Sequence, residues 1–234
     1  MDVIISFSDI YKKSIGLFDD PKITVAYETN VIQFNKLMYT FLQNSISLFN
    51  NPISVVKRLS IYSEPKGTME VFIGDGETKV FHLSDDFEII EGSMYQYIAN
   101  GDYVNGILDT ENKTVTFPHV IEDGQECSIE QYFAGGFSFN TQGMTDNIAG
   151  ISQSVVNQIK DILARLLVKS WGENTRNFLL DIQNILNDTD FKLHPASNAL
   201  RAKNVWIAQL DQEILQYQNK LAWNIRMFNK NSNV

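Results

Sequence analysis

The sequence predicts an α+β protein: a helical bundle of long antiparallel helices, with an inserted small antiparallel β-sandwich or barrel module. Apolar residues recur at three- and four-residue steps from residue 7 to 49 and again over the last third of the chain. Between them, short apolar runs alternate with turn residues. At 234 residues with 44% hydrophobic content, each part is long enough to bury a core. We therefore divide the chain into 1–63 (helical arm), 64–136 (inserted β-module) and 137–234 (second part of the bundle, with a long C-terminal helix).

The N-terminal arm is expected to form two helices. The first spans Phe7 to Leu17 and ends at the turn Asp19-Asp20-Pro21. The second and longer helix runs from about Thr24 to Phe49, where Asn50-Asn51-Pro52 stops it. Such helices fold back on each other as an antiparallel pair. A connector, Ile53 to Glu64, then leads into the β-module.

The β-module begins with two apolar runs around Gly74-Asp75-Gly76, a pattern that predicts a hairpin. Turn residues at further points, such as Asn100-Gly101 and Asp123-Gly124, separate the later apolar runs. Short strands at this spacing favour an antiparallel sandwich or barrel. The six expected strands are Met69 to Gly74, Lys79 to Leu83, Met94 to Ala99, Tyr103 to Asp109, Thr114 to Phe117 and Cys127 to Phe133.

The last third of the chain is expected to be helical after a linker, Phe137 to Gly143. A helix from Thr145 to about Trp171 carries a wide apolar stripe. Gly172 is expected to interrupt it, and a further helical piece follows from Asn174 to Leu186. The final helix begins near Pro195, a residue suited to the first helical turn, and runs to about Phe228.

The final helix has the most regular pattern in the chain. Apolar residues recur every seven positions, at Leu200, Ile207, Ile214, Leu221 and Phe228. One interpretation is an ordinary helix that packs on its neighbours. The other is a helix that also packs on another subunit, because it is longer than a small bundle needs.

The net charge of −9 is unevenly distributed. The segment from Glu64 to Ala134 holds 15 acidic and 3 basic residues, a net of −12, and the remainder has a net of +3. An acidic module is a poor nucleic-acid binder, because phosphate contacts need Lys and Arg. A solvated acidic surface is the ordinary explanation.

The sequence contains no pattern typical of a catalytic or metal site, and we predict a non-enzyme without a cofactor. His82, His119 and His194 are far apart, and the single cysteine, Cys127, has no partner for a metal site or disulfide. Gly74-Asp75-Gly76 lacks the Lys-Ser/Thr of a P-loop and the ligand spacing of a calcium loop.

The first residues, Met1 to Ser6, lack the basic and long apolar segments of a signal peptide. No apolar stretch approaches the roughly 20 residues of a membrane span. We therefore expect a protein that is made in a cytoplasm, stays soluble and does not contact a membrane.

The β-module resembles a module that recurs in virion proteins of tailed bacteriophages. The similarity lies in the Gly-Asp-Gly segment Phe72 to Leu83, the strand Tyr97 to Gly101, the Phe-Pro segment Lys113 to Pro118 and the final strand Gly124 to Ile129. The module occurs in tail fibres as well as in neck proteins, so the resemblance implies a phage particle without fixing the place within it.

The helical remainder is similar to phage head-to-tail adaptor proteins, also called neck, ring or connector proteins. The residues concerned are Ile162 to Trp171, Asp188 to Leu200 and the long final helix. The resemblance implies a homo-oligomer, a dodecameric ring that joins the portal protein to downstream tail or neck proteins. DNA would pass through its channel without sequence-specific binding. The protein would reside at the neck of the virion after assembly in the host cytoplasm.

On this reading, contacts with the portal or with neighbouring subunits are expected on the final helix and the loop before it. The predicted interface residues are Asp190, Phe191, Lys192, His194, Leu200, Ile207, Ile214, Leu221 and Phe228. The β-module would pack against a ring neighbour or offer a docking surface to other tail parts.

Two alternatives stay open. A tail fibre or baseplate component would use aromatic residues of the β-module to bind a host glycan or another tail protein. A hydrolase would use a pair of the module's many carboxylates, although nothing in their spacing singles out a pair.

Overall fold

The computed structural model describes residues 2–142, 149–187 and 194–231. It confirms a mixed α+β protein with antiparallel sheets. The chain divides into two compact units, residues 1–62 with 136–234, and residues 63–135. The first unit contains all the helices, and the second contains only strands and loops.

The elements are as follows. The helices are α1 (Phe7–Ser14), α2 (Pro21–Thr29), α3 (Val31–Ser45), α4 (Ile53–Val56), α5 (Ala149–Asn187) and α6 (His194–Asn231), with single 3-10 turns at Ile15–Leu17 and Ile46–Leu48. The strands are β1 (Asp2–Ser6), β2 (Leu59–Ser63), β3 (Lys66–Ile73), β4 (Val80–His82), β5 (Met94–Ala99), β6 (Asp102–Val104), β7 (Ile107–Asp109), β8 (Thr114–Thr116), β9 (Glu126–Phe133) and β10 (Gly136–Asn140).

The helix predicted over Thr24 to Phe49 is two helices, α2 and α3, because Asn30 breaks it. The backbone of Asn30 is extended (φ −149°), and its side chain accepts a hydrogen bond from the Gln33 N–H at 2.9 Å. Asn therefore acts as the N-cap of α3, which competes with helix continuation. The preceding helix α2 begins at Pro21 and buries none of its side chains.

The predicted linker Phe137 to Gly143 is wrong, since β10 occupies most of it and is the middle strand of a three-stranded sheet ordered β1-β10-β2. Phe137 and Phe139 are buried, and they lie opposite Ile5 and Val3 of β1 in antiparallel register. The strand was missed because its partner β1 lies at the far end of the chain, and alternation over five residues is a weak local signal.

Gly172 does not interrupt the helix, because α5 is continuous from Ala149 to Asn187. A Cβ atom at this position would clash with the indole ring of Trp206 on α6. The glycine therefore permits close packing of α5 and α6. This packing outweighs the cost of about 1 kcal/mol, relative to alanine, of a glycine inside a helix. The predicted start of this helix at Thr145 lies outside the described residues.

The hairpin predicted around Gly74-Asp75-Gly76 is also wrong. Strand β3 pairs with β9 and strand β4 pairs with β8, so the loop between them leads from one sheet to another. The two sheets are ordered β3-β9-β5-β6 and β4-β8-β7. The predicted strand Tyr103 to Asp109 is similarly divided between the sheets, as β6 and β7.

Asp75 explains this loop. Its carboxylate accepts hydrogen bonds from the Thr78 hydroxyl (2.7 Å) and from the backbone N–H groups of Glu77 (2.9 Å) and Thr78 (2.6 Å). These bonds lower the pKa of Asp75 to about 2, and the bond from the Thr78 hydroxyl has the largest effect. An Asp that caps backbone groups two and three residues ahead closes a wider loop than a two-residue hairpin turn.

Both sheets of the second unit contribute to one apolar core. Its buried members are Leu83, Phe87, Ala99, Val115, Phe117, Ile121, Cys127 and Ile129. The polar side chain of Gln131 is buried as well, with only 1% of its surface exposed. Its amide oxygen accepts from the Ile90 N–H (2.9 Å) and the Tyr95 hydroxyl (3.0 Å), while its amide nitrogen donates to the Glu88 carbonyl (2.8 Å) and the Thr68 hydroxyl (3.1 Å).

In the first unit, the core lies where α5 meets α1, α3 and α6. The apolar stripe of α5 is fully buried, as its helical periodicity predicts. Its described buried members include Val155, Ile159, Ile162, Leu163, Leu166 and Leu167.

Candidate functional site

The structure places the predicted interface residues in different environments. Asp190, Phe191 and Lys192 lie outside the described residues, and so do the side chains of His194 and Phe228, whose backbone belongs to α6. Leu200 is half-buried. Ile207, Ile214 and Leu221 are buried against their own chain. These three side chains are part of the intrachain core, and the assignment of the whole set to a portal or subunit interface stays a prediction.

Charged groups line the junction of α5 and α6. Arg165 pairs with Glu213 at 3.0 Å, and Lys169 pairs with Asp211 at 2.6 Å. The contacts run in opposite order along the two helices, which makes them antiparallel. The Arg165 guanidinium also lies 3.8 Å from the centre of the Tyr217 ring.

Between Val205 and Trp223, the side of α6 that faces away from α5 carries one charged residue, the exposed Lys220, four residues after Gln216. Three large apolar side chains on this side, Val205, Leu215 and Trp223, are 53% to 61% exposed. Between them lie exposed small and amide residues, namely Ala208, Gln209, Gln212, Gln216 and Asn219. Steps of three and four residues place these positions on one side of the helix. We call this set the outer face of α6.

The outer face is unusual for a helix that meets only water. Solvated helix faces ordinarily carry charged residues, and this chain has a net charge of −9. The nearby charges Asp211 and Glu213 are engaged with α5 instead. The sequence pattern at Leu200, Ile207, Ile214 and Leu221 drew attention to the buried side, whereas the signal for the outer face was a scarcity of charge.

Lys203 is the buried cation of the first unit. It is 8% exposed, and its Nζ donates to both carboxylate oxygens of Asp19 at 2.8 Å. The ammonium also lies 4.4 Å from the centre of the Trp171 ring and 4.7 Å from that of Trp206. The patterns described in the sequence do not single out Lys203. Its partner is 184 residues away, so local spacing could not reveal the pair.

An apolar groove of about 230 Å³ opens beside β2 in the first unit. Tyr39 and Ile46, together with Phe137 of β10 and Ile61 of β2, are among the residues that line it. Ile61 is exposed, while Phe137 is buried. The groove is comparable in size to one aliphatic or aromatic side chain, and nothing in its lining suggests catalysis.

Groups that could perform chemistry are dispersed. Across 2–142, 149–187 and 194–231, no cluster of three or more His, Cys, Asp or Glu residues is arranged to hold a metal ion. His82 and His119 are exposed. Cys127 is buried in the core of the second unit, and this burial raises the pKa of its thiol to about 11.

The raised pKa of Cys127 predicts that its thiol reacts slowly. At pH 8 we expect Cys127 of the folded protein to react with a disulfide reagent at least about a hundredfold more slowly than in the unfolded chain, because thiolate is the reactive species and is scarce when the pKa is raised. The rate is measured by absorbance in buffer and in urea. A thiol introduced by Val120→Cys, in an exposed loop, is the fast control. Equal rates at the two positions would contradict the buried environment.

Comparison with known proteins yields no relative: protein-family models, curated proteins and solved structures all gave no match to this chain. Within the described part of the chain, no helix is both long and apolar enough to cross a membrane. The functional argument therefore depends on the chain's own residues.

Proposed function

We propose that this protein is a structural component of a tailed bacteriophage particle: a ring-forming head-to-tail adaptor that joins the portal to the tail and extends the DNA channel. In this proposal the helices of the first unit form an antiparallel bundle that carries the ring contacts. The second unit is a small β-sandwich inserted into that bundle. The resemblance of the β-module and of the helical segments to phage neck proteins gives the proposal its starting point.

The outer face of α6 is the observation that carries the proposal. It extends over 19 residues, from Val205 to Trp223, or about 27 Å at 1.5 Å per residue. The residues of this face are apolar or amide-bearing, so a contact that pairs the amides would require no ion of the face to be desolvated, and Lys220 could stay in water beside it. Lateral packing of subunits in a ring would use such a face.

The charge distribution also fits this role. A DNA channel that gripped phosphates through many Lys and Arg contacts would hinder passage of the genome. Here the second unit is strongly acidic, and the first unit is only weakly basic. Five of its described cations, Lys13, Lys160, Arg165, Lys169 and Lys203, are in ion pairs.

The alternative of a glycan-binding tail fibre or baseplate part has less support. Glycan recognition by aromatic residues needs exposed ring faces. In the second unit, Tyr103 is half exposed, whereas Tyr95, Tyr97, Phe117 and Tyr132 are buried or half-buried. The carboxylates likewise show no arrangement that favours a hydrolase.

We expect Leu215→Glu combined with Trp223→Glu to weaken self-association of the purified chain at least tenfold, because charge would have to be buried in the ring contact. Analytical ultracentrifugation over a range of concentrations measures this change. Val25→Glu with Ile53→Glu is the matched control, since both residues are exposed apolar helix positions off α6. Unfolding by urea should change by only about 0.5 kcal/mol for each substitution.

The place in the particle is tested separately. If the protein forms a closed dodecameric ring, quantitative mass spectrometry of intact particles should give about twelve copies, and electron microscopy should show its density at the neck. Three or six copies would favour a fibre or baseplate part. Turnover of a host glycan by the purified protein would contradict the structural role.

A further inference from the structure

Strand β3 is an unprotected sheet edge. It lies at the end of its four-stranded sheet, and β9 is its only partner strand among the described residues. It is eight residues long, whereas the other edge strands of the second unit, β4, β6 and β7, have three residues each. Natural proteins usually shorten, charge or cover an exposed edge to prevent pairing. The charged residues of β3 are Lys66, at its first position, and Glu70, whose carboxylate accepts a hydrogen bond from the Ser84 N–H at 2.8 Å.

The register shows which groups of β3 are available. The N–H of Gly74, which continues β3, donates to the Gln125 carbonyl at 2.8 Å, so Gly74 belongs to a hydrogen-bonded pair. Because such pairs alternate along an antiparallel ladder, Met69, Val71 and Ile73 direct their N–H and C=O groups away from β9. Their side chains are also 47% to 60% exposed. Free backbone groups and exposed apolar side chains therefore coincide.

A second edge in the same chain has complementary features. Strand β2 is at the end of the three-stranded sheet of the first unit, and its residues Ile61 and Tyr62 are exposed. Ile61 borders the apolar groove of about 230 Å³. Strand addition typically combines backbone hydrogen bonds with pockets for alternate side chains.

Charge decides which edges would meet. Two β3 edges would bring together two modules that each carry a net charge of −12, which like-charge repulsion opposes. Strand β2 instead follows directly after Lys57 and Arg58 and belongs to the unit with a net charge of +3. Strand β3 itself carries Glu70, and Glu126 and Glu130 lie opposite Ile73 and Met69 on β9. Opposite charges therefore favour a β2–β3 contact.

We infer that β3 of one copy of this chain adds to the β2 edge of a second copy, with an apolar β3 side chain entering the groove beside Ile61. This inference rests on the proposed ring and names a contact between its subunits in addition to the outer face of α6. Each copy has one edge of each kind, so the contact is head-to-tail. Such contacts close into a ring or continue as a filament.

The first test weakens the β3 edge. We expect Val71→Lys to weaken association of the full chain at least tenfold in analytical ultracentrifugation, because it places a cation against the basic side of β2. Val71→Pro should do the same by removing an outward N–H, a change that edge strands tolerate. Val120→Lys is the matched control, because Val120 is equally exposed in a loop of the same unit. Circular dichroism establishes that each variant is folded.

The second test fills the groove. Gln43 lines it and is exposed, so Gln43→Trp should occupy the space without altering the core and should also weaken association at least tenfold. Gln33→Trp, on an exposed position of the same helix, is the control. Association that survives both Gln43→Trp and the Val71 variants would overturn the inference.

Cross-linking identifies the two edges directly. Single-cysteine additions Ile61→Cys and Val71→Cys, carried on chains of different mass, should form a mixed disulfide when combined under oxidising conditions. Cys127 stays unreactive because burial raises its pKa. Disulfides only between two Val71→Cys chains, or none at all, would overturn the inference. If the wild-type chain still formed rings and occupied the neck, the proposed function would stand with a different subunit contact.

Discussion

Asp19→Ala is expected to lower the free energy of unfolding by about 2–3 kcal/mol, because it leaves the Lys203 ammonium buried without its counter-ion. Lys203 is 8% exposed, and both of its bonds to Asp19 are 2.8 Å long. The Trp171 and Trp206 rings give partial compensation through cation–π contacts. The side chain of Asp19 is about one-third exposed, which places the expected loss below that of a fully buried pair. Urea unfolding followed by tryptophan fluorescence measures it.

Replacing Lys203 instead of Asp19 should lower the free energy of unfolding by less. Lys203→Met keeps the apolar contact with both indole rings and leaves the Asp19 carboxylate, which water can reach. We expect a loss of about 1 kcal/mol or less, and the double variant Asp19→Leu with Lys203→Met should recover most of the stability lost in Asp19→Ala. A larger loss for Lys203→Met than for Asp19→Ala would contradict the buried-cation explanation.

Gln131→Leu is expected to destabilise the second unit by about 3 kcal/mol. The substitution keeps the volume but removes the four hydrogen bonds of the buried Gln131 side chain, and it leaves the Ile90 N–H and the Glu88 carbonyl without the partner they have in the wild type. The loop that carries Glu88 and Ile90 should then detach from the sheet. Hydrogen exchange at the Ile90 amide, together with urea unfolding, measures both effects.

Gln96→Leu, on the adjacent strand β5, is the matched control. The Gln96 Oε1 atom is buried without a hydrogen-bond partner in the described structure, so its removal should be neutral or slightly stabilising. Gln131→Glu gives a pH-dependent version of the experiment. A buried carboxyl facing the Glu88 carbonyl has a folded-state pKa above its unfolded value of about 4.3, so the variant should gain stability as the pH falls through that raised pKa. Equal losses for Gln131→Leu and Gln96→Leu would contradict the role of the network.

The helices were the most predictable part of the protein, and their failures have local physical reasons. The periodicity of α5 and α6 showed their buried sides, as at Ile159 and Ile214, and the approximate extent of α6. Asn30 was not recognised as a cap because capping depends on its extended backbone, which the residue type allows but does not require. Gly172 was read as a break, yet the partner that explains it, Trp206, lies on another helix.

Most strands were located from the sequence, but their pairing was not. The apolar runs at β3, β5 and β9 are long enough to be recognised. The connection of β3 to β9, rather than to β4 across the Gly74-Asp75-Gly76 loop, depends on contacts between distant segments. The candidate surfaces were missed for a related reason, since periodicity indicates which side of an element is buried but not whether the other side or edge is covered.

The sequence by itself determined the α+β class, the long helices, the position of the acidic strand-rich segment and its opposite charge to the helical part. These properties follow from composition and local periodicity. Only the tertiary structure decided that Ile207, Ile214 and Leu221 belong to the core, that the outer face of α6 is exposed, and that β2 and β3 are sheet edges within the described part of the chain. Exposure and strand pairing depend on which distant segments meet, and that is a property of the folded chain as a whole.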